Sequence, residues 1–579
     1  MALLGIDIGT TGSRALVLDE AGRTVAASAE HEAFRSPQTG WAEQDPDDWW
    51  RACQTAVRRA LDASGTDGAA IQAIGLSGQM HGAVLMDVAG AVLRPAIIWC
   101  DQRTETECRW IESTIGASRL LELTSNPALT NFTLTKLLWV RAHEPETWAR
   151  VRHVLLPKDY VRWRLSGEHA IDVADASGTL MLDVARRRWS SDVLDQVGID
   201  VGLLPRVFES PEICARVSRD AAAALGVPVG TSIVAGAGDQ AAGAVGMGIT
   251  RPGAVSATIG TSGVVFAATD RPVTDPRGRI HTFCHAVPGR WHVMGVTQAA
   301  GLSLRWLRDL IAPAISTGGV TYDDLTAEAA RVPPGADGVL WAPYLMGERT
   351  PHCDPNIRAA CVGLAANHGR GHVVRAVLEG VAFSLRDTFT IFSELAVPVE
   401  RIVVGGGGAR SALWREIQAN VYGRAVETIV ADEGAALGAA ILAGVGARVW
   451  ASVDEAVDAT VRRGATTSPQ ADAVATMNDR YAHYRRVYPA LRAMADSRAR
   501  NEAYVPSAIG AAIRSAMSCA TRSRRPPPSR CSGKSARGAS TCTTTIWCRS
   551  TRPLPSATAS SRNSHAPASA TASSSRWRR

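Results

Sequence analysis

Apolar positions set a strand rhythm from the first residues. Leu3, Leu4, Ile6 and Ile8 run into Gly9-Thr10-Thr11-Gly12-Ser13, and Ala15, Leu16, Val17 and Leu18 carry the chain back. Two apolar runs around a short glycine and hydroxyl turn predict a β-hairpin. Thr24–Ala29 predicts a third strand. Asp45-Pro46, an N-cap followed by a first-turn proline, opens a helix in which Trp50, Cys53, Val57 and Leu61 recur at helical spacing. Ile71–Leu76 predicts the next strand, and Ala83–Asp87 with Val92–Trp99 predicts a further hairpin.

The opening pattern returns far downstream. Ala254–Ile259, Gly260-Thr261-Ser262-Gly263 and Val264–Ala267 repeat the sequence strand, Ile-Gly-Thr-hydroxyl-Gly, strand. A chain that uses one hairpin twice is expected to hold two related domains facing each other. In the second half, Val373, Val377, Val381, Leu385, Phe389 and Phe392 form one face of a long helix. Arg401–Val404 predicts a strand entering Gly405-Gly406-Gly407-Gly408-Ala409-Arg410-Ser411, followed by a helix with Trp414, Ile417 and Val421 inward. The boundaries drawn are 1–245 and 246–494 for the two domains and 495–579 for a low-complexity tail.

Several stretches carry candidate chemistry. In the first hairpin, bare N–H groups at glycines and the hydroxyls of Thr10, Thr11 and Ser13 suit an anion, and Asp7 is placed to hold a divalent cation through water. An ordinary hairpin uses the same residues. The downstream echo favours the phosphate reading, with Gly260, Thr261 and Ser262 gripping a polyphosphate from the other side. Ser77-Gly78-Gln79-Met80-His81-Gly82 follows a strand's carboxyl end, where open α/β sheets bind ligands, and offers Gln79, Met80 and His81 to a polyol. Trp99 and Asp101, beside Arg103, suit a sugar's C–H face and hydroxyls, or equally a salt-bridged surface loop.

Ile233–Gly243 is a second acidic turn, and Asp239 at the start of a small-residue helix is expected to remain ionised and act as a general base. The bland alternative is that Asp239 caps that helix. Gly406, Gly407, Gly408, Ala409 and Ser411 form a strand–glycine–helix turn on which a base and ribose can lie. The small-residue run Asp432–Ala440 is expected to supply a helix facing the adenine. Neither hairpin fits a Walker loop or a dinucleotide fingerprint.

Charge changes the picture in one place. The net charge of +7 arises in the tail, where residues 501–579 hold 13 Lys and Arg against the single acid Glu502, leaving −5 for the first 500 residues. No nucleic-acid partner is therefore expected. The tail cannot bury enough apolar surface to fold alone and is expected to be disordered, reading as a non-native extension rather than a basic arm. No apolar run reaches the roughly 18 residues of a membrane span. Cys53, Cys100, Cys108, Cys214, Cys284, Cys353 and Cys361 lack metal spacing and read as reduced thiols, so a cytoplasmic protein is expected.

Taken together, the stretches from about residue 3 to 490 resemble the FGGY carbohydrate kinases. The match includes Gly78–Gly82, Leu156-Pro157-Lys158-Asp159-Tyr160 and Gly347-Glu348-Arg349-Thr350-Pro351-His352. The resemblance implies an α/β fold of two ribonuclease-H-like, actin-like ATPase domains around a central cleft. It implies ATP and Mg²⁺, with Asp239 removing the proton of a sugar's terminal hydroxyl, Asp7 on the Mg²⁺–phosphate side and Met80 and His81 on a pentulose, D-xylulose. A homodimer is also expected. Two positions depart from the family, which often has glycine or another small residue where this chain has Ala237, with one added methyl, and Asn where it has Gln240, which keeps an amide. A non-catalytic nucleotide-and-sugar sensor, and kinases of other polyols, are the alternatives.

Overall fold

The computed structural model describes residues 1–19, 22–31, 34–311, 320–430 and 433–503. Two seven-stranded sheets organise it. In the first, β1 (Ala2–Ile8), β2 (Gly12–Asp19), β3 (Thr24–Glu30), β4 (Ile71–Gly78), β5 (Ile213–Arg216) and β6 (Ser232–Val234) lie in the order β5-β6-β4-β1-β2-β3, and β7 (Ala237–Gly238) also pairs with β4. In the second, β8 (Gly253–Ile259), β9 (Gly263–Thr269), β10 (His281–Cys284), β11 (Trp291–Thr297), β12 (Val399–Gly406), β13 (Val426–Ile429) and β14 (Arg463–Thr467) lie in the order β10-β11-β9-β8-β12-β13-β14.

The repeat seen in the sequence is a repeat in space. β1 pairs antiparallel with β2 and parallel with β4, as β8 does with β9 and β12. Each parallel pairing even shifts register at the matching place, between Ala2 and Leu3 and between Gly253 and Ala254. One difference matters. Where the first copy has Asp7, one residue before Ile8, the second has Thr258, one residue before Ile259.

Helices cover these sheets for the reasons their patterns give. In α1 (Pro46–Ser64), Asp45 accepts from the Asp47 N–H, Gly65 ends the helix in the left-handed region, and Trp49, Cys53 and Val57 are buried on the first sheet. The helices α2 (Thr133–His143), α3 (Pro157–Ser166) and α4 (Asp239–Gly246) complete the first lobe near the site. In the second, α5 (Gly301–Ile311) follows β11, and α6 (Arg370–Glu394) buries Val377, Val381, Leu385 and Phe392. Next, α7 (Ala412–Tyr422) buries Trp414, Ile417 and Val421.

Two expectations are corrected here. The hairpin of Ala83–Asp87 and Val92–Trp99 is short: Asp87 N donates to Ala91 O and Leu93 N to Leu85 O, with bridges at Met86↔Val92 and Ala83↔Ile97, while the strand segments themselves pair elsewhere, Val84–Met86 with His153–Leu155 and Ala96–Ile97 with Glu43–Gln44. The buried face of the small-residue helix α8 (Gly434–Gly446), expected against an adenine, is filled by protein. The helix lies on the first lobe, packed on β1, β4 and α4, with Ala436 to Gly444 buried. Here two backbones nearly touch: a Cβ at Gly438 would stand 1.8 Å from the Ala242 carbonyl oxygen, and one at Gly75 would stand 1.9 Å from that of Ala439. Only glycine allows this approach. Asp432 lies outside the described residues.

A helix, Val487–Ala503, runs past residue 495, where the tail was expected to begin, and the tail's remaining residues, 504–579, lie outside the described ones. No helix among the described residues is long and apolar enough to cross a membrane. The seven cysteines among them are free.

Candidate active site

The two acidic turns meet at the carboxyl ends of neighbouring strands. Asp7 pairs in register with Ser77 of β4, and Ser77 pairs on its other side with Ala237 of β7, two residues before Asp239. Burial pushes the Asp239 carboxyl up to about 7, and the negative charge of Asp7 pushes the same way. This corrects the expectation that the start of α4 keeps Asp239 ionised: desolvation and a like charge outweigh the helix terminus. Asp239 is not the helix cap either, since Gly238 holds that position. Asp7 is also raised, mainly by burial, and its Oδ1 has no hydrogen-bond partner among the described residues. A buried carboxylate oxygen without a donor suits a hard cation, so the residue fits Mg²⁺.

Met80 and His81 stand beside this pair. A Cβ at Gly238 would touch Met80 Cγ at 2.8 Å, and one at Gly178 would meet both Met80 and His81. His81 has φ 69°, an unfavourable region for a side chain with a Cβ. Its ring is held by Nδ1, which donates to Gly178 O at 2.6 Å. That bond leaves Nε2 as the acceptor, and Nε2 has no partner among the described residues. Burial and the charges of Lys136 and Arg349 hold His81 well below its usual pKa, so the ring is neutral. Thr133 Oγ1 and Lys136 Nζ both donate to His81 O, at 3.2 and 2.9 Å. Lys136 is itself pushed down to about 7 by burial.

The other residues expected at the sugar are placed differently. Asp101 is fully buried and saturated: it accepts from Ala42 N at 2.6 Å and from Arg103 N, Nε and Nη2 at 2.7–3.0 Å. Its carboxylate holds a loop, so the sugar role is corrected; Arg103 in turn lies over the Trp41 ring, 3.7 Å from its centroid. Gln79 is also buried, donating to Gln44 Oε1 at 2.9 Å, with Thr10 Oγ1 3.4 Å from its oxygen. Its amide braces the first hairpin instead of facing a polyol. Trp99 remains half-buried and donates from Nε1 to Thr10 Oγ1 at 3.0 Å, tying the hairpin to the loop after Ile98.

On the second lobe, Ile259 pairs with Gly406, so Gly260-Thr261-Ser262 and Gly406-Gly407-Gly408 emerge side by side at the strand ends. Gly260, Thr261 and Gly407 are exposed, Ser262, Gly406 and Ala409 half-buried, and Gly408 packs on Ile259. Thr11 of the first hairpin is exposed and Thr10 half-buried. Ser411 caps α7 by accepting from Trp414 N at 3.3 Å.

Sequence reasoning missed what holds the acidic turn that carries Asp239. Lys158 Nζ lies within 2.6 Å of Asp159, 2.6 Å of Asp172 and 3.0 Å of Asp175, all fully buried. These three carboxylates are grouped as metal ligands would be, but the lysine ammonium occupies their centre. The cluster lies directly under the site: a Cβ at Gly238 would be 3.3 Å from Asp175 Oδ1, and Arg162, paired with Asp159, donates to Ala235 O just before the acidic turn. The Lys158-Asp159 pair was visible in the sequence, whereas its partners fourteen and more residues on follow no local pattern.

Models of the N-terminal and C-terminal domains of the FGGY family of carbohydrate kinases match residues 2–246 and 255–447. The chain belongs to this family and is an ATP-dependent carbohydrate kinase with the actin-like ATPase fold. It is 38% identical over 489 residues to the xylulose kinase of Escherichia coli (strain K12), covering 84% of this chain and 99% of that protein. It is 36% identical over 486 residues to the xylulose kinase of Bacillus subtilis (strain 168), covering 84% and 96%. The crystal structure of a xyloylose kinase from Brucella ovis superposes with a TM-score of 0.79 at 36% identity, covering 85% of this chain and all of that one.

Proposed function

We propose that the chain transfers the terminal phosphoryl group of ATP to the 5-hydroxyl of D-xylulose, giving ADP and D-xylulose 5-phosphate. The observation that carries this reading is Asp239 beside Asp7, with Met80 and the free Nε2 of His81 on the adjoining loop. The xylulose kinases among its relatives supply the sugar. Asp239 accepts the proton of the hydroxyl, whose oxygen forms the new bond to phosphorus as the bond to the ADP oxygen breaks. His81 Nε2 accepts a hydrogen bond from a sugar hydroxyl, and Met80 gives an apolar wall.

Gly260, Thr261 and Ser262, Thr10 and Thr11, and the 406–411 turn line the ATP side in this reading. Asp7 is the residue that would hold Mg²⁺, directly or through water. Bound there, the ion would neutralise phosphate charge. A non-catalytic sensor would need neither carboxylate, and both are present. A functional division at residues 245/246, a homodimer and a cytoplasmic location belong to the same reading.

The test is a comparison of kcat/KM for D-xylulose, D-ribulose, L-ribulose, glycerol and gluconate by coupled ADP release. D-xylulose is expected to lead. Another member ahead of it would overturn the sugar while leaving the kinase assignment intact.

A further inference from the structure

The Gly347–His352 motif has no role in the reading above, yet its far end walls a separate cavity. Its middle is latched to the end of β11: Thr350 N donates to Val296 O at 3.0 Å, and the Glu348 carboxylate accepts from Thr297 Oγ1 at 2.6 Å. Past that latch, Pro351 and His352 line a cavity of about 220 Å³, shared with α6 and the helices Ala471–Tyr484 and Val487–Ala503. No residue lining it is among those proposed for the sugar, ATP or Mg²⁺. Four of the chain's eight tyrosines do line it, Tyr344, Tyr481, Tyr484 and Tyr488.

One wall carries a carboxylate with a spare oxygen. Asp387 is only 7% exposed. Its Oδ1 accepts from Tyr481 OH at 2.6 Å, whereas its Oδ2 has no hydrogen-bond partner among the described residues and opens on the cavity. Burial pushes this carboxyl up to about 7, since one donor does not offset the lost water. The remaining wall is aromatic. Tyr481 and Tyr484 lie with ring planes 15° apart, Tyr344 OH meets Tyr484 OH at 3.3 Å, and His352 stacks on Tyr488 at 3.5 Å between centroids.

Charge, size and shape select the ligand. Arg279 and Glu394 pair with each other at 2.8 Å, and the exposed Arg485 at the rim balances Asp387, so the lining suits a neutral molecule. A cation would compete for Tyr481 with Arg386, whose guanidinium carbon already stands 4.3 Å from that ring's centroid. The volume is below the roughly 300–1,000 Å³ of drug-sized sites, which fits a monosaccharide-sized ligand and not a nucleotide. Ring faces take C–H groups, while a spare carboxylate oxygen and phenol oxygens take hydroxyls.

We propose that this cavity binds a small neutral polyol, with hydroxyls donating to Asp387 Oδ2 and the C–H face against the tyrosine rings. The inference goes beyond the phosphoryl-transfer reading and does not rest on it.

The test is fluorine NMR of the full chain labelled with fluorotyrosine, titrated with xylitol without nucleotide, its resonances assigned by tyrosine-to-phenylalanine substitution. Tyr481 and Tyr484 are expected to shift and saturate, and Tyr160 and Tyr322, outside the cavity, serve as controls. Asp387→Leu should raise the midpoint of the shift at least about tenfold, as expected for a lost charge-assisted hydrogen bond. Ile391→Phe, which fills the cavity from a buried wall position, gives the same comparison if the Leu variant does not fold. Shifts confined to the control tyrosines, or a midpoint that either folded variant leaves unchanged, would overturn the inference. A response to L-serine or inorganic phosphate and none to xylitol would overturn it too, in favour of a zwitterion or an anion. The readout needs no turnover, so it succeeds or fails apart from the sugar panel.

Discussion

Asp7 and Asp239 close two strands that flank the same residue, Ser77, and the charge of Asp7 adds to burial in holding the Asp239 carboxyl near pKa 7. The two copies of the hairpin differ here, since Thr258 stands where Asp7 would be in the second lobe. One lobe therefore carries both carboxylates, and the other carries hydroxyls and bare backbone at its matching turn, Gly260–Ser262.

A base with a pKa of about 7 works only when it has lost its proton. The kcat/KM for the sugar should rise with pH through about 7 and level off above it. A profile flat from pH 5.5 to 8.5 would remove Asp239 from the role of base. In Asp7→Asn the like charge is gone, so a titration of the Asp239 carboxyl, followed by NMR without nucleotide, should move to lower pH.

Asp239→Asn should reduce turnover by at least about a thousandfold while leaving sugar binding largely intact, because proton transfer is lost and the shape is kept. The same change should raise stability at alkaline pH. A carboxyl whose pKa is higher folded than unfolded contributes stability below its unfolded value, near 3.8, and loses it as pH rises through about 7. The stability gain of Asp239→Asn should therefore be larger at pH 8 than at pH 4.5, by about 1–3 kcal/mol after allowance for the partly exposed position. Equal gains at both pH values would contradict the raised pKa.

Local patterns carried much of this architecture. The hairpin at Gly9–Thr11, its echo at Gly260–Ser262, the Asp45 cap and the stripe along α6 were all legible, because each is a short-range rhythm with its own physical cause. The fate of individual polar side chains was not. Asp101 and Gln79 have the residue types of a sugar site, but Arg103 and Ala42 saturate the first and Gln44 engages the second, and those contacts depend on tertiary placement. The pKa of Asp239 was misjudged for the same reason: the neighbouring charge lies 232 positions away in sequence, from Asp7 to Asp239. Helix α8 was given the wrong neighbour because its small residues suit close packing against any backbone, and in the fold that backbone is α4.

That packing yields a prediction about how α8 is held on the first lobe. Gly438→Ala places a methyl carbon 1.8 Å from the Ala242 carbonyl oxygen, a backbone atom that cannot swing away. The helices α4 and α8 must move apart, and α4 begins at Asp239. The variant should lose about 2–4 kcal/mol in chemical unfolding and lose kcat as well, since overpacking at a rigid contact is poorly relieved. Gly434→Ala, at the start of the same helix, is the control. Its methyl meets no atom within 4 Å but the position has φ 60°, so it should cost only about 1 kcal/mol. Equal effects from the two substitutions would show that the α4–α8 contact is looser than the structure has it.

His81 gives the sharpest split between sugar and nucleotide. Its Nδ1–H satisfies the Gly178 carbonyl, its Nε2 is left to accept from the sugar, and its backbone carbonyl takes two donors from α2. His81→Ala removes the ring interactions while keeping the carbonyl bonds. The KM for D-xylulose should rise by about one to two orders of magnitude, corresponding to an unpaired buried hydroxyl at about 1–3 kcal/mol. The KM for ATP should change little, because the hydrogen bonds of His81 run to Gly178, Thr133 and Lys136, none of which is among the residues proposed for ATP. His81→Asn tests the geometry separately: Asn tolerates the left-handed φ of 69° and can still donate to Gly178, yet its shorter side chain does not reach as far as Nε2. It should restore stability relative to His81→Ala without restoring the sugar KM. Recovery of both together would mean that His81 acts only by shaping the loop.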